Sequence, residues 1–206
     1  MQVSQGGIVG TQPAVLARFQ QAAGGLGGIT GPYRGYLYYW KTTRNDDIDA
    51  ITCALWPYLS NEKRDQLATA AQVVGRATPN STERPSPSED MPWAAGLFDG
   101  EGSLWVSADP RLRPDWRGVA MELAQASIGD VPETLQRFHA AVRVGQISGP
   151  RTPRNPWTKL PQYRWRVGGR HRVSSVVRLL WPWLSEVKRG QIRGIAAHLD
   201  LDAELL

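Results

Sequence analysis

Apolar and polar positions follow two different periods along this chain, and the switches between them outline its elements. The pattern is most complete from Pro92 onward. PWAAGLFDG (92–100) is a short apolar run of helical character that ends at the glycines Gly100 to Gly102. GSLWVSA (102–108) alternates as a strand does, and GVAMELAQAS (118–127) is its expected partner. Between them DPRLRPDWR (109–117) reads as a polar turn with three arginines. In VPETLQRFHAAVRV (131–144) Leu135, Phe138 and Val142 recur at helical spacing, with Pro132 near the helix start. QISGPR (146–151) and QYRWRV (162–167) are two further strands, joined by the Pro- and Arg-rich loop TPRNPWTKLP (152–161). VSSVVRLLWPWL (173–184) and VKRGQIRGIAAHL (187–199) are closing helices, and Pro182 breaks the chain between them. The predicted order is helix, two strands, helix, two strands, helices. Such a unit is α+β, an antiparallel sheet covered on one face by helices.

Much of this unit occurs twice. LWPYLSNEKRDQ (55–66) matches LWPWLSEVKRGQ (180–191) at a constant offset of 125 residues. The same offset carries Trp40 to Trp165 and Tyr38 to Tyr163. PAVLARF (13–19) matches PETLQRF (132–138), GGITGP (27–32) matches GQISGP (145–150), and MQVSQ (1–5) matches MELAQ (121–125). Residues 1–75 are therefore expected to form an incomplete first repeat and 92–206 a complete second one. Residues 76–91, rich in Pro and Ser, read as an extended linker. Met1 aligns with Met121, so the segment 92–120 has no first-unit counterpart. A truncation or a mis-called start is the preferred explanation, a natural absence the alternative. Either would leave a sheet edge and an apolar face without their usual partners.

Charge narrows the partner. The net charge is +5 and the sequence pI about 9.7, which favours a polyanion. From Arg143 to Arg172 there are eight basic residues and no acid: Arg143, Arg151, Arg154, Lys159, Arg164, Arg166, Arg170 and Arg172. Arg164 and Arg166 are two apart and share one strand face, while Trp165 turns to the helices. Lys41 is the first-unit match of Arg166, and Arg34 lies in the turn before it. A sheet with one apolar and one arginine-bearing face suits a strand-based reader of a DNA groove. Other classes drop out. Cys53 is the single cysteine, so no intrachain disulfide or thiolate cluster forms. His139, His171 and His198 lack metal-ligand spacing. The absence of a long apolar run or a signal peptide leads to the expectation of a soluble, intracellular (cytoplasmic) protein.

Ala94-Ala95-Gly96-Leu97-Phe98-Asp99-Gly100-Glu101-Gly102 resembles the signature of the LAGLIDADG homing endonucleases, enzymes of mobile genetic elements. The resemblance covers nearly the whole chain. It implies αββαββα repeats with saddle-shaped antiparallel sheets. It implies that Ala95 and Gly96 line a helix–helix contact, and that Glu101, with Gly100 beside it, holds Mg²⁺ or Mn²⁺. Glu101 replaces the family's usual Asp. Asp99 is read as structural. The resemblance further implies catalytic roles for Lys63 and Lys188, with Arg64 and Arg189 as substitutes. The implied DNA contacts are Arg34, Lys41, Arg111, Arg113, Arg117, Arg151, Arg154, Lys159, Arg164 and Arg166. The implied activity is metal-dependent hydrolysis of duplex DNA at a long site. With one acid in hand, the chain is expected to bind DNA without cutting both strands efficiently, being either inactive or a nicking enzyme. A homodimer through the motif helix would supply a second acid. The rival readings are a non-catalytic DNA-binding protein or an RNA-splicing maturase that binds intron RNA, for which Tyr33 and Trp157 are candidate stacking groups.

Overall fold

The computed structural model describes residues 1–7, 10–81, 86, 89–108, 117–152 and 160–202, with only the backbone of Ala108 and Arg117. The chain divides into two compact units, Met1–Arg84 and Pro85–Leu206. Among the described residues no helix is long and apolar enough to cross a membrane.

The second unit opens with helix α4 (Asp90–Glu101), two residues ahead of the expected start. Strands β4 (Gly102–Ala108) and β5 (Arg117–Ala126) follow, then α5 (Glu133–Val142), β6 (Gln146–Arg151) and β7 (Gln162–Gly168). Helices α6 (Arg170–Leu180) and α7 (Glu186–Arg193) close the unit, separated by a 3₁₀ turn (Trp181–Trp183) that carries Pro182. The antiparallel sheet runs β4-β5-β7-β6. Its inward rows hold Leu123, Trp165 and Ile147, then Leu104, Met121 and Val167. These pack on Phe98, Leu135, Phe138, Val173 and Val177 of the helices. Phe138 meets Trp165 edge to face at 4.7 Å, a pairing that adds about 1 kcal/mol to simple burial.

The first unit runs β1 (Gln2–Gly6), α1 (Ala14–Ala22), β2 (Gly28–Tyr33), β3 (Leu37–Lys41), α2 (Asn45–Leu55), a 3₁₀ turn (Trp56–Tyr58) and α3 (Asn61–Val73). Its antiparallel sheet is β1-β3-β2. The registers of the two sheets correspond strand by strand. Gln2 pairs with Lys41 as Glu122 pairs with Arg166, and Ile29 pairs with Trp40 as Ile147 pairs with Trp165. Phe19 meets Trp40 edge to face at 4.8 Å, as Phe138 meets Trp165. Each indole also donates to a backbone carbonyl, Trp40 to Leu26 and Trp165 to Val144, both at 2.9 Å. The residue after that carbonyl is a glycine in both units for one reason. A Cβ on Gly27 or Gly145 would come within 2.6 Å of the indole, and both residues have positive φ.

The units differ in how far their cores are closed. Val173, Val177, Ile192 and Met121 are all fully buried in the second unit. Their counterparts in the first repeat, Ile48, Thr52, Leu67 and Met1, line a groove of about 350 Å³ together with Ala70, Ala71 and Val74. In the second unit α4 packs against α5, α6 and the 3₁₀ turn. Among the described residues of the first unit no helix takes that place. The segment after α3 is tied to its own unit. Arg76 bonds both Asp49 and the Asn45 carbonyl, and Ser81 accepts from the Trp56 indole at 3.1 Å.

Candidate nucleic-acid interface

Helix α4 ends where its sequence turns to glycine and acid. A Cβ at Gly102 would strike the Phe98 ring, so only glycine lets the chain leave the helix this close to the core. Asp99, two residues before the end, accepts from the Ser185 backbone at 2.8 Å and from its hydroxyl at 3.0 Å. Ser185 in turn caps α7, its Oγ accepting from the Lys188 N–H at 3.2 Å. Asp99 is thereby spent on structure. Glu101 is exposed and ends the helix, with Ser103, the first residue of the polar face of β4, two positions on. Gly100 is exposed too, in the last turn, where helical carbonyls have no N–H partner of their own.

The two lysines at matching repeat positions are in different states. Lys188 is only 6% exposed; its Nζ donates to the Gly102 carbonyl at 2.7 Å and lies 5.1 Å from the centre of the Phe98 ring. Burial lowers its pKa from the usual 10.5, and the Asp99 charge pulls it back up. Lys63 is exposed, and its Nζ donates to Gln66 Oε1 at 3.0 Å. Arg64 and Arg189, expected as possible substitutes for these lysines, turn to the backbone of the preceding turns. Their guanidinium groups bond the carbonyls of Trp56–Pro57 and Trp181–Pro182 and lie about 5.4 and 5.3 Å from the Trp56 and Trp181 rings. They cap the ends of the 3₁₀ turns. Ala95 and Gly96, expected to line one helix–helix contact, stand in different surroundings. Ala95 is enclosed in the core of the second unit, because it lies on the inward side of α4 beside Ala94 and Phe98. A Cβ at Gly96 would meet no described atom within 4 Å, so Gly96 stands on an open side of the helix.

The outward face of the second sheet is built in cross-strand rows. Ser103, Glu122, Arg166 and Gln146 form one; Ala124, Arg164 and Ser148 the next; Trp105, Ala120 and Gly168 a third. The arginines meet an acid that the 143–172 window did not contain. Glu122 Oε1 is 3.3 Å from Arg164 Nη1, so Arg164 is ion-paired. Arg166 is exposed and its guanidinium lies 5.3 Å from the centre of the Trp105 ring. Among the described residues no carboxylate comes within salt-bridge distance of it. Arg170 pairs with Asp200, again an acid distant in sequence. The plain basic face expected from composition is therefore a mixed one. Trp105 and Glu122 went unnoticed in the sequence, although the alternation of GSLWVSA and VAMELA turns both outward.

The remaining candidates fall as follows. Lys41 is exposed in the first sheet, between Gln2 and Gly28 in register. Arg34 is exposed in the β2–β3 turn with φ of 51°. Arg151 is exposed at the end of β6. Arg117 begins β5, and its side chain is not described. Arg111, Arg113, Arg154, Lys159 and Trp157 lie outside the described residues. Tyr33 is 45% exposed and meets Tyr39 edge to face at 5.3 Å.

Among the described residues no three His, Cys, Asp or Glu side chains gather as a metal cluster. The Glu101 carboxylate and the Gly100 carbonyl nevertheless suit a hard cation. Mg²⁺ keeps several waters and is commonly held through one or two carboxylates.

No family profile matches this chain, and no curated protein is similar to it in sequence. Solved structures are similar in fold. The meganuclease I-SmaMI, bound to uncleavable DNA, superposes with a TM-score of 0.62 at 14% identity, over 100% of this chain and 81% of that one. I-SmaMI bound to an uncleaved DNA target with calcium ions gives 0.59 at 13% identity, over 99% and 83%. The LAGLIDADG homing endonuclease I-GzeII, in complex with its DNA target, gives 0.55 at 13% identity, over 99% and 83%. The fold of this chain is that of the LAGLIDADG homing endonucleases.

Proposed function

We propose that this chain is a DNA endonuclease of the LAGLIDADG homing type, binding duplex DNA across its sheet faces and hydrolysing one strand with a divalent metal. The observation that carries this reading is Glu101, an exposed carboxylate at the end of α4, joined through Gly102 to a strand whose outward face runs on to Arg166. Glu101 with the Gly100 carbonyl would hold Mg²⁺ or Mn²⁺, which activates water and stabilises the leaving oxygen when bound. Lys41, Arg34 and Arg151 supply positive charge to phosphates, and Arg166 carries its charge on the outward face of the second sheet. Lys188 holds the α4–β4 junction through the Gly102 carbonyl, and Lys63, exposed, approaches the backbone directly. Asp99 is committed to Ser185, so one acid serves the described site, and the expected product is nicked rather than linear DNA.

The test is plasmid cleavage with Mg²⁺, comparing the wild type with Glu101→Gln. Nicked circles from the wild type and none from the variant are expected. Equal activity in both would remove Glu101 from the chemistry, and full linearisation by a monomer would overturn the single-acid reading. The face also supports a second reading. Exposed Tyr33 beside Tyr39 offers rings on which unpaired bases stack, so binding of intron RNA without cleavage is the alternative. Competition between duplex DNA and structured RNA for the full chain separates the two.

A further inference from the structure

We propose that Trp105 is a positioning residue that makes Arg166 the base-reading arginine of the second sheet, with guanine the base it selects. This rests on the duplex-DNA reading above and adds to it which arginine reads and why.

The register makes Glu122 the direct neighbour of Arg166. Directly opposite residues on a sheet are closest, so this is where an ion pair is expected. Glu122 instead reaches diagonally to Arg164, and Arg166 reaches across β5 to Trp105 on β4. The row of Trp105 explains how they meet. Its other members are Ala120 and Gly168, which leave space above β5 for a ring and a guanidinium. Ala120 is only 3% exposed although its parity turns it outward, as a side chain under a covering ring would be.

Three consequences follow. Contact with an aromatic face steadies the flat side of a guanidinium and leaves its in-plane N–H groups free. A fixed fork of donors is what the O6 and N7 acceptors of guanine take in the major groove. Ordering the side chain before binding also lowers the entropy cost of the contact. Arg164 lacks these advantages, because its charge already faces Glu122. The first unit provides an internal contrast. There Lys41 stands at the place of Arg166, Gln2 at that of Glu122 and Tyr39 at that of Arg164. Lys41 is a mobile point charge that contacts phosphate without choosing a base.

The experiment selects duplexes from a randomised pool with the full chain, then measures affinity and its salt dependence on single-base variants of the selected site. The wild type is expected to prefer guanine at one position by roughly ten-fold or more. Arg166→Lys keeps the charge and loses that preference with the salt slope unchanged. Trp105→Leu loses at least about five-fold of the preference at the same position, again with the slope unchanged. Trp105→Phe, which keeps a flat ring, retains it. Lys41→Gln lowers the salt slope by about one and alters no base preference. Melting curves establish that each variant is folded, and Arg166→Lys, a surface change, decides the arginine's part whatever Trp105→Leu does to the fold. Retention of the preference by Trp105→Leu, with its loss in Arg166→Lys, would remove Trp105 and leave DNA binding intact. Retention by Arg166→Lys would overturn the assignment of the base reader. Absence of salt-dependent duplex binding by the wild type would overturn this proposal together with the reading beneath it.

Discussion

Asp99 and Ser185, 86 residues apart, are joined by two hydrogen bonds, from the Ser185 backbone at 2.8 Å and from its hydroxyl at 3.0 Å. They tie the end of the acid-bearing helix to the start of α7. Ser185 is 3% exposed, so losing its acceptor would leave a buried donor unpaired. Asp99→Ala is expected to cost about 2–3 kcal/mol in urea unfolding, and Asp99→Asn, which keeps one acceptor, less. A change within experimental error for Asp99→Ala would count against this link as a structural anchor.

Lys188 and Lys63 occupy the same place in the repeat and should respond differently. Lys188→Ala removes the bond to the Gly102 carbonyl and the contact over Phe98, at an expected cost of about 1–3 kcal/mol. Lys63→Ala, at the exposed start of α3, should stay within about 0.5 kcal/mol. Chemical denaturation of both variants checks the asymmetry, and equal losses would contradict it.

Gly96 offers a probe of the open side of α4. A Cβ there meets no described atom within 4 Å, and alanine favours a helix over glycine. Gly96→Ala should therefore stabilise the chain by about 0.5–1 kcal/mol. A fall in the unfolding midpoint would mean that another surface packs against Gly96, as a helix-mediated homodimer requires, and sedimentation analysis of the same variant would then report the change in assembly.

Glu186 sets a small acid dependence. Side-chain hydrogen bonds from Arg193, then Arg189, hold its carboxyl below 4.5. The folded pKa is thus lower than the unfolded one, and the stabilisation is present above 4.5 and lost as pH falls through the lowered value. Glu186→Gln should melt slightly below the wild type at neutral pH, and the two should converge in acid well below 4.5. The group is exposed, so the difference is expected to be small. A gap that widens on acidification would contradict the sign.

Most of the fold was legible because period carries burial. QYRWRV alternates, so Tyr163, Trp165 and Val167 point inward and Arg164 and Arg166 outward, as the structure has them. The recurrence of LWP, of the glycine after the carbonyl that each indole bonds, and of Ser60 and Ser185, which cap α3 and α7, is likewise written in the sequence. The motif helix was placed within two residues, and its terminal acid was found because short-range sequence order sets a helix end.

What the linear order could not supply was the partner of each charge. The acid-free window at 143–172 implied free arginines, yet Glu122 and Asp200 come in from other elements to neutralise Arg164 and Arg170. Arg64 and Arg189 turned inward to backbone carbonyls, and Lys188 was buried, for the same reason. Which face a residue occupies depends on its immediate neighbours and is written in the chain. Which charge it meets depends on strands and helices brought together from far along that chain, and only their packing decides it.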